Sequence, residues 1–143
     1  MSWKLSKAAI QLREQFDDNY PERDRRSDGT KGDLRHSKIV SDHNPDRNGW
    51  VRALDIDADL NAHKSEMAYV ADQLRKSARQ DKRISYLIYD GKIASAKSLW
   101  KWKKYRGINP HRSHLHVSFK KSADNLGGFF EVPLLGGSVE ESN

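Results

Sequence analysis

Two histidines separated by a single residue, His114 and His116, stand in the run Ser113-His-Leu-His-Val-Ser-Phe119. Strand alternation puts His114, His116 and Ser118 on one face and Leu115, Val117 and Phe119 on the other. The second face reads as core. The first offers two imidazoles side by side, groups that titrate near neutrality and bind zinc readily. Further donors lie upstream: His43 in Ser41-Asp-His-Asn-Pro45, and Asp55 and Asp57 in Ala53-Leu-Asp-Ile-Asp57. Two His and one carboxylate, with a fourth position left to water, make a catalytic zinc shell; a structural site is closed by four protein ligands. Zinc held that way lowers the pKa of its water to about 7 and polarises a carbonyl, the chemistry of amide hydrolysis. The chain has no cysteine, so disulfides and thiolate ligands are excluded. Ser41 and Ser118 lack the strand-to-helix elbow of a nucleophilic serine.

These residues must be brought together by the elements around them. Leu5, Ala8, Ala9, Leu12 and Phe16 recur at helical spacing, which predicts an amphipathic helix over roughly the first fifteen residues, ending before Pro21. Residues 21–33 are charged and turn-rich, a loop long enough to expect a function of it. Residues 50–57 alternate as a strand with Val51, Ala53, Asp55 and Asp57 on one face. Met67, Val70, Ala71, Leu74 and Ala78 mark a second helix within 62–79. Ile84–Tyr89 and Lys92–Ser95 flank Asp90-Gly91, a dipeptide suited to a two-residue hairpin turn. A Trp- and Lys-rich connection, 99–105, leads through Asn109-Pro110 into the histidine strand. The order helix, loop, strand, helix, hairpin, strand predicts an α+β domain: a small antiparallel sheet with helices on one face and an open zinc cleft on the other. Asp55 and the His114/His116 pair would then reach the open face from separate strands, with His43 delivered by the preceding loop.

A length of 143 residues suits one domain, expected over 1–135 with a frayed tail at 136–143. The net charge of +6 and pI near 9.5 imply an anionic partner: nucleic acid, an acidic membrane surface or a bacterial wall. No apolar run approaches transmembrane length, and the N-terminal residues lack the apolar segment of a secretory signal. The expectation is a monomer made in the cytoplasm without a signal peptide, reaching any outer substrate only after release. Lys and Arg are distributed along the chain and no nucleic-acid motif appears, which argues against a nucleic-acid partner.

At these strings the chain resembles the LAS-type zinc peptidases, the group of D-Ala-D-Ala carboxypeptidases and L-alanyl-D-glutamate endopeptidases. Ser41-Asp42-His43 matches their Ser-x-His, Ala53-Leu54-Asp55 the end of their Gly-x-Ala-x-Asp segment, and His114-Leu115-His116 their closing His-x-His. Ser27-Asp-Gly-Thr-Lys-Gly-Asp33 and Asn109-Pro-His-Arg-Ser-His-Leu-His-Val-Ser118 look like a phage and actinobacterial lysin branch. The resemblance spans roughly residues 20–120. It implies zinc held by His43, Asp55 and His116, with His114 as the catalytic proton-transfer or intermediate-stabilising group and His111 supporting it. It further implies that an Arg ahead of Ser-x-His, here Arg25 or Arg26, contacts substrate alongside Ser41 and His111. The implied activity is hydrolysis of an amide bond in the stem peptide or cross-link of peptidoglycan, as in phage endolysins. Two departures stand out. Eleven residues separate His43 from Asp55, more than the family's usual interval, which keeps Asp57 in play as the carboxylate ligand. No acid precedes His116 within 111–115, so the base falls to His114.

More ordinary roles are expected elsewhere. Asp57 reads as a strand-end or capping carboxylate, His63 as a surface group, and Trp100 and Trp102 as core filling. His36 reads as either a supporting residue or a solvated one. A metal-dependent nuclease and a non-catalytic wall-binding module are the competing functions.

Overall fold

The computed structural model describes residues 2–31, 41–107 and 110–137; His36, Asn109 and the tail from 138 lie outside the described residues. The chain folds as α+β. Five antiparallel strands in the order β3-β7-β4-β5-β6 form the main sheet: β3 Ala53–Asp57, β4 Ile84–Tyr89, β5 Lys92–Ser95, β6 Lys103–Lys104 and β7 His114–Phe119. A short parallel pair, β1 Lys4–Leu5 and β2 Trp50–Val51, stands apart from it. Two helices, α1 Lys7–Asn19 and α2 Glu66–Ser77, complete the layers.

Both helices form where apolar side chains recur every three or four residues, and those stripes are what they bury. Ala8, Ala9, Leu12 and Phe16 of α1 and Met67, Val70, Ala71 and Leu74 of α2 join one apolar cluster with Leu54, Ile56, Leu87, Leu115, Val117 and Phe119. Gln15, on the same buried side of α1, bonds the backbone of Phe130 and Leu135, so the C-terminal segment closes over the helix. Asp90 and Gly91 both have positive φ, 48° and 77°, the backbone a type I′ turn requires between β4 and β5. Among the described residues, no helix is long and apolar enough to cross a membrane.

Three expectations change. The strand expected over 50–57 is broken at Arg52, whose guanidinium bonds Asp124 at 2.8 Å and Asp46 at 2.7 Å. Its backbone N–H goes to the Asp42 carbonyl, Trp50–Val51 pairs with residues 4–5, and Ala53–Asp57 pairs with β7. The first helix begins at Lys7, because residues 4–5 are used as a strand. The second begins at Glu66, the preceding residues 61–65 forming bends and turns.

Candidate metal centre

Register brings the chemistry together. β7 lies between β3 and β4, with Asp55 directly opposite His116 and Asp57 opposite His114 on β3, and Tyr86 of β4 opposite Ser118. Residues of like parity share a face, so Asp55, His114, His116, Ser118 and Tyr86 all stand on the side away from the core residues Leu54, Leu115 and Val117.

Two loops complete this side. Arg23 is buried and pairs with Asp17 at 2.8 Å and Asp28 at 2.7 Å, while Asp28 also accepts the backbone N–H of Asp57 at 2.8 Å. Ser27 Oγ donates to Asp57 at 2.8 Å and is 3.0 Å from the Ser113 carbonyl. These bonds lay Gly29 along β3, where it exchanges two backbone hydrogen bonds with Asp55. The second loop carries His43. Its ends are fixed by Asp46, which accepts the N–H groups of Asn48 and Trp50, and by the Arg52 N–H donated to the Asp42 carbonyl. The long interval between His43 and Asp55 is thus taken up in a turn built on Asp46, and His43 still arrives beside Asp55.

At the centre, His43 Nε2 is 3.1 Å from Asp55 Oδ2 and His116 Nδ1 is 3.0 Å from Asp55 Oδ1. Each imidazole has its other nitrogen held. His43 Nδ1 donates to the Thr30 carbonyl at 2.6 Å, and His116 Nε2 is 2.7 Å from Ser118 Oγ. Tyr86 stacks on the His116 ring at 5.5 Å and gives its hydroxyl to Asp42 at 3.0 Å. Burial above all pushes the Tyr86 phenol up to about 12, so it stays a donor.

His114 and His111 form the outer pair. His114 Nε2 lies 3.6 Å from Asp55 Oδ2, is buried and makes no hydrogen bond. His111, with φ 55°, sets its ring 4.9 Å from that of His114 and 5.1 Å from that of His116, with Tyr105 against its other side at 5.9 Å.

Electrostatics separate the imidazoles. Burial alone would lower His43, but the Asp55 carboxylate bonded to it outweighs that, and its pKa is raised. Burial would raise Asp55; the hydrogen bonds from His116 and His43 reverse this and hold it well below the usual carboxylate range. Burial lowers His114, only partly offset by Asp55. Burial thus favours the neutral form of His114.

The donor atoms of His43, Asp55 and His116 all lie within 4.8 Å of one another, as do those of Asp55, His111 and His114. Metal bonds of 2.0–2.1 Å in a tetrahedral shell put neighbouring donors about 3.3 Å apart. His43 stands 3.1 Å from one oxygen of Asp55 and His116 3.0 Å from the other, and each histidine's far nitrogen has the oxygen partner that ligating histidines have. The first trio could hold a metal ion.

The other sequence candidates are placed differently. Ser41 Oγ accepts the His43 N–H at 3.2 Å and so shapes the loop. Arg25 bonds Asp17 at 3.1 Å, and Arg26 pairs with Asp24, its side chain 90% exposed. Asp57 accepts bonds from Ser27 and from the Asp59 N–H, the strand-end role expected of it. Trp100 is buried in the core cluster and Trp102 packs against it. Sequence reasoning missed Thr30 and Tyr86, the latter placed only by the strand register, and it put Ser118 on the face of His116 without giving it a role.

Compared with protein-family models, with curated proteins and with solved structures, the chain gives no significant match.

Proposed function

We propose that the protein is a zinc peptidase of the LAS type that hydrolyses an amide bond in the stem peptide or cross-link of peptidoglycan, acting on the wall after release as a phage endolysin does. The observation that carries this reading is the convergence of His43 and His116 on Asp55, each imidazole with its far nitrogen held by an oxygen. Zinc bound by these three residues supplies a Lewis acid and a water acidic enough to attack an amide near neutral pH.

The chain's own residues account for the rest. The Thr30 carbonyl can only accept, so it keeps a proton on His43 Nδ1 and leaves Nε2 to serve as ligand. Asp55 is held ionised, as a ligand must be. His114 lies two residues before His116 on the same strand face, its unbonded Nε2 toward Asp55 and its neutral form favoured by burial; it would take the proton of the attacking water at that atom and return it to the leaving amine. His111 walls the site behind it.

Zymography on purified cell walls, with and without chelator, beside a plasmid-nicking assay, tests the reading. Clearing that is lost to chelator and returns with zinc is the expected outcome. Nicking would make the protein a nuclease, and neither activity would leave a wall-binding module. Mass spectrometry of the digest then names the bond.

A further inference from the structure

The cations are distributed, but the net charge is not. The chain has 26 Lys and Arg against 20 Asp and Glu; residues 92–107 hold six of the cations and no acid, leaving 20 of each elsewhere. That run of six cations without an acid covers β5, β6 and the segment joining and following them, together the β5–β6 rim. Lys92, Lys97, Lys101, Lys103, Lys104 and Arg106 are all exposed, and none is paired with a carboxylate among the described residues. Lys92 stands directly opposite Lys104 in the strand pairing, a like-charge juxtaposition that costs stability unless something answers it. At the far end, Lys101 shares a cavity of about 460 Å³ with Arg79 and Lys82, which adds further positive charge.

Lysines on an edge strand guard against edge-to-edge pairing. That accounts for Lys103 and Lys104 on β6, but Lys97, Lys101 and Arg106 belong to no strand. The rim also leads somewhere. The Tyr105 N–H bonds the Gly91 carbonyl, the Gly91 N–H bonds the Pro110 carbonyl, and the Tyr105 ring lies against His111, which abuts His114.

We infer that the β5–β6 rim is a docking strip for a linear polyol-phosphate polymer of the bacterial wall, running into the histidine cluster. Exposed cations without carboxylate partners among the described residues suit a chain of phosphodiesters. Single-stranded nucleic acid needs open aromatic faces to stack on. Here Trp100 is buried, and Trp102 bonds Asp72 with Arg75 over its ring. A membrane surface needs apolar area to insert, and Leu99 is the one large exposed apolar side chain in the segment. The wall as the source of the polymer rests on the peptidase reading; the strip itself does not.

The test is equilibrium binding of the full chain to soluble poly(glycerol phosphate) across a salt series, with short duplex DNA and phosphatidylglycerol vesicles as parallel probes. The triple variant Lys92→Gln/Lys103→Gln/Lys104→Gln is expected to bind the polymer at least about tenfold more weakly, with a salt slope reduced by about three. Its melting temperature should hold or rise as the Lys92–Lys104 repulsion is relieved. Lys97→Gln/Lys101→Gln, outside the strands, should weaken binding in the same direction and covers the case in which the triple variant folds poorly. Unchanged polymer affinity in both variants overturns the proposal, as does tighter binding of DNA or vesicles than of polymer at equal phosphate. Repeating the titration with His116→Ala separates the two readings. If walls are never cleaved but charge removal still abolishes polymer binding, the peptidase reading fails and the strip stands.

Discussion

Two pairs of imidazoles surround one carboxylate, and they are built differently. His43 and His116 are each fixed at both nitrogens, one toward Asp55 and one toward an oxygen behind. His114 has no hydrogen bond at Nε2 and stands 3.6 Å from the same carboxylate. A ligand must hold one tautomer and one direction, whereas a proton carrier must be neutral and free to exchange. The inner pair meets the first requirement and His114 the second. Because both trios share Asp55, filling the inner one commits that carboxylate, and the outer histidines keep the part of proton handling.

The largest effects should fall on the inner pair. His43→Ala, His116→Ala and Asp55→Ala should each abolish bound zinc, measured by metal analysis, together with wall hydrolysis; Asp57→Ala should spare both. The wild type should carry about one zinc per chain, since three ligands form one site; two would mean that the outer trio fills as well. Metal-free protein gives a second check. Asp55 raises the His43 pKa, so metal competes with a proton at Nε2, and zinc binding should release protons, more of them as pH falls. The raised His43 pKa contributes stability below the ordinary 6.5 that is lost as pH rises past its folded value. The depressed Asp55 pKa contributes stability above the ordinary 3.8 that is lost as pH falls. The lowered His114 pKa works against His43, costing stability as pH falls below 6.5. Thermal melts of chelated His114→Ala protein should therefore gain stability relative to wild type on the acid side of 6.5; no gain would break the account of a histidine held neutral by burial.

His114→Ala sharpens the contrast. It should keep near-normal zinc and fold while turnover falls by about 10²–10⁴-fold, the weight of one proton-transfer group. The pH–rate profile should also lose the acid limb contributed by an imidazole whose pKa burial has lowered. Zinc loss in this variant would move His114 among the ligands. Undiminished turnover would pass the role to His111.

The apolar face was legible because periodicity alone determines it: the stripes at Leu12/Phe16 and Val70/Leu74 are the ones buried, and Asp90-Gly91 is the hairpin turn. The site was legible where strand parity or a short motif carried it, as for His114, His116, Asp55 and His43. What escaped depended on contacts distant in the chain. At the break the Arg52 side chain is held by Asp124, 72 residues away, and Thr30 reaches His43 through a backbone oxygen that no residue type advertises. Arg25 and Arg26 are the substrate contacts the resemblance implies, but local carboxylates, Asp17 and Asp24, engage them.

A smaller effect is expected at the support behind His116. Ser118→Ala removes the oxygen 2.7 Å from Nε2 and leaves that buried ring nitrogen without its partner. Zinc affinity, measured by competition with a chelating dye, should fall by about 10–100-fold while the ligands stay in place. No change would mean that stacking on Tyr86 alone orients the ring.

The smallest effect concerns the carboxylate that both pairs share. Gly29 lies so close to β3 that a Cβ built on it would meet Asp55 Oδ2 at 3.2 Å. That is tight enough to displace the oxygen by a few tenths of an ångström, and this oxygen faces both His43 and His114. The two backbone bonds between Gly29 and Asp55 hold the strand in place, so the side chain must yield. Gly29→Ala should therefore weaken zinc by only a few-fold, a small share of the ~1–3 kcal/mol typical of overpacking, with little change in melting temperature. Gly91→Ala is the opposite control. Its Cβ meets nothing within 4 Å, but its φ of +77° disfavours any side chain, so it should lose ~1 kcal/mol or more of stability and leave zinc affinity alone. If both variants lost stability and neither lost zinc, the close approach at Gly29 would be a matter of folding, and Asp55 would be positioned by its histidines alone.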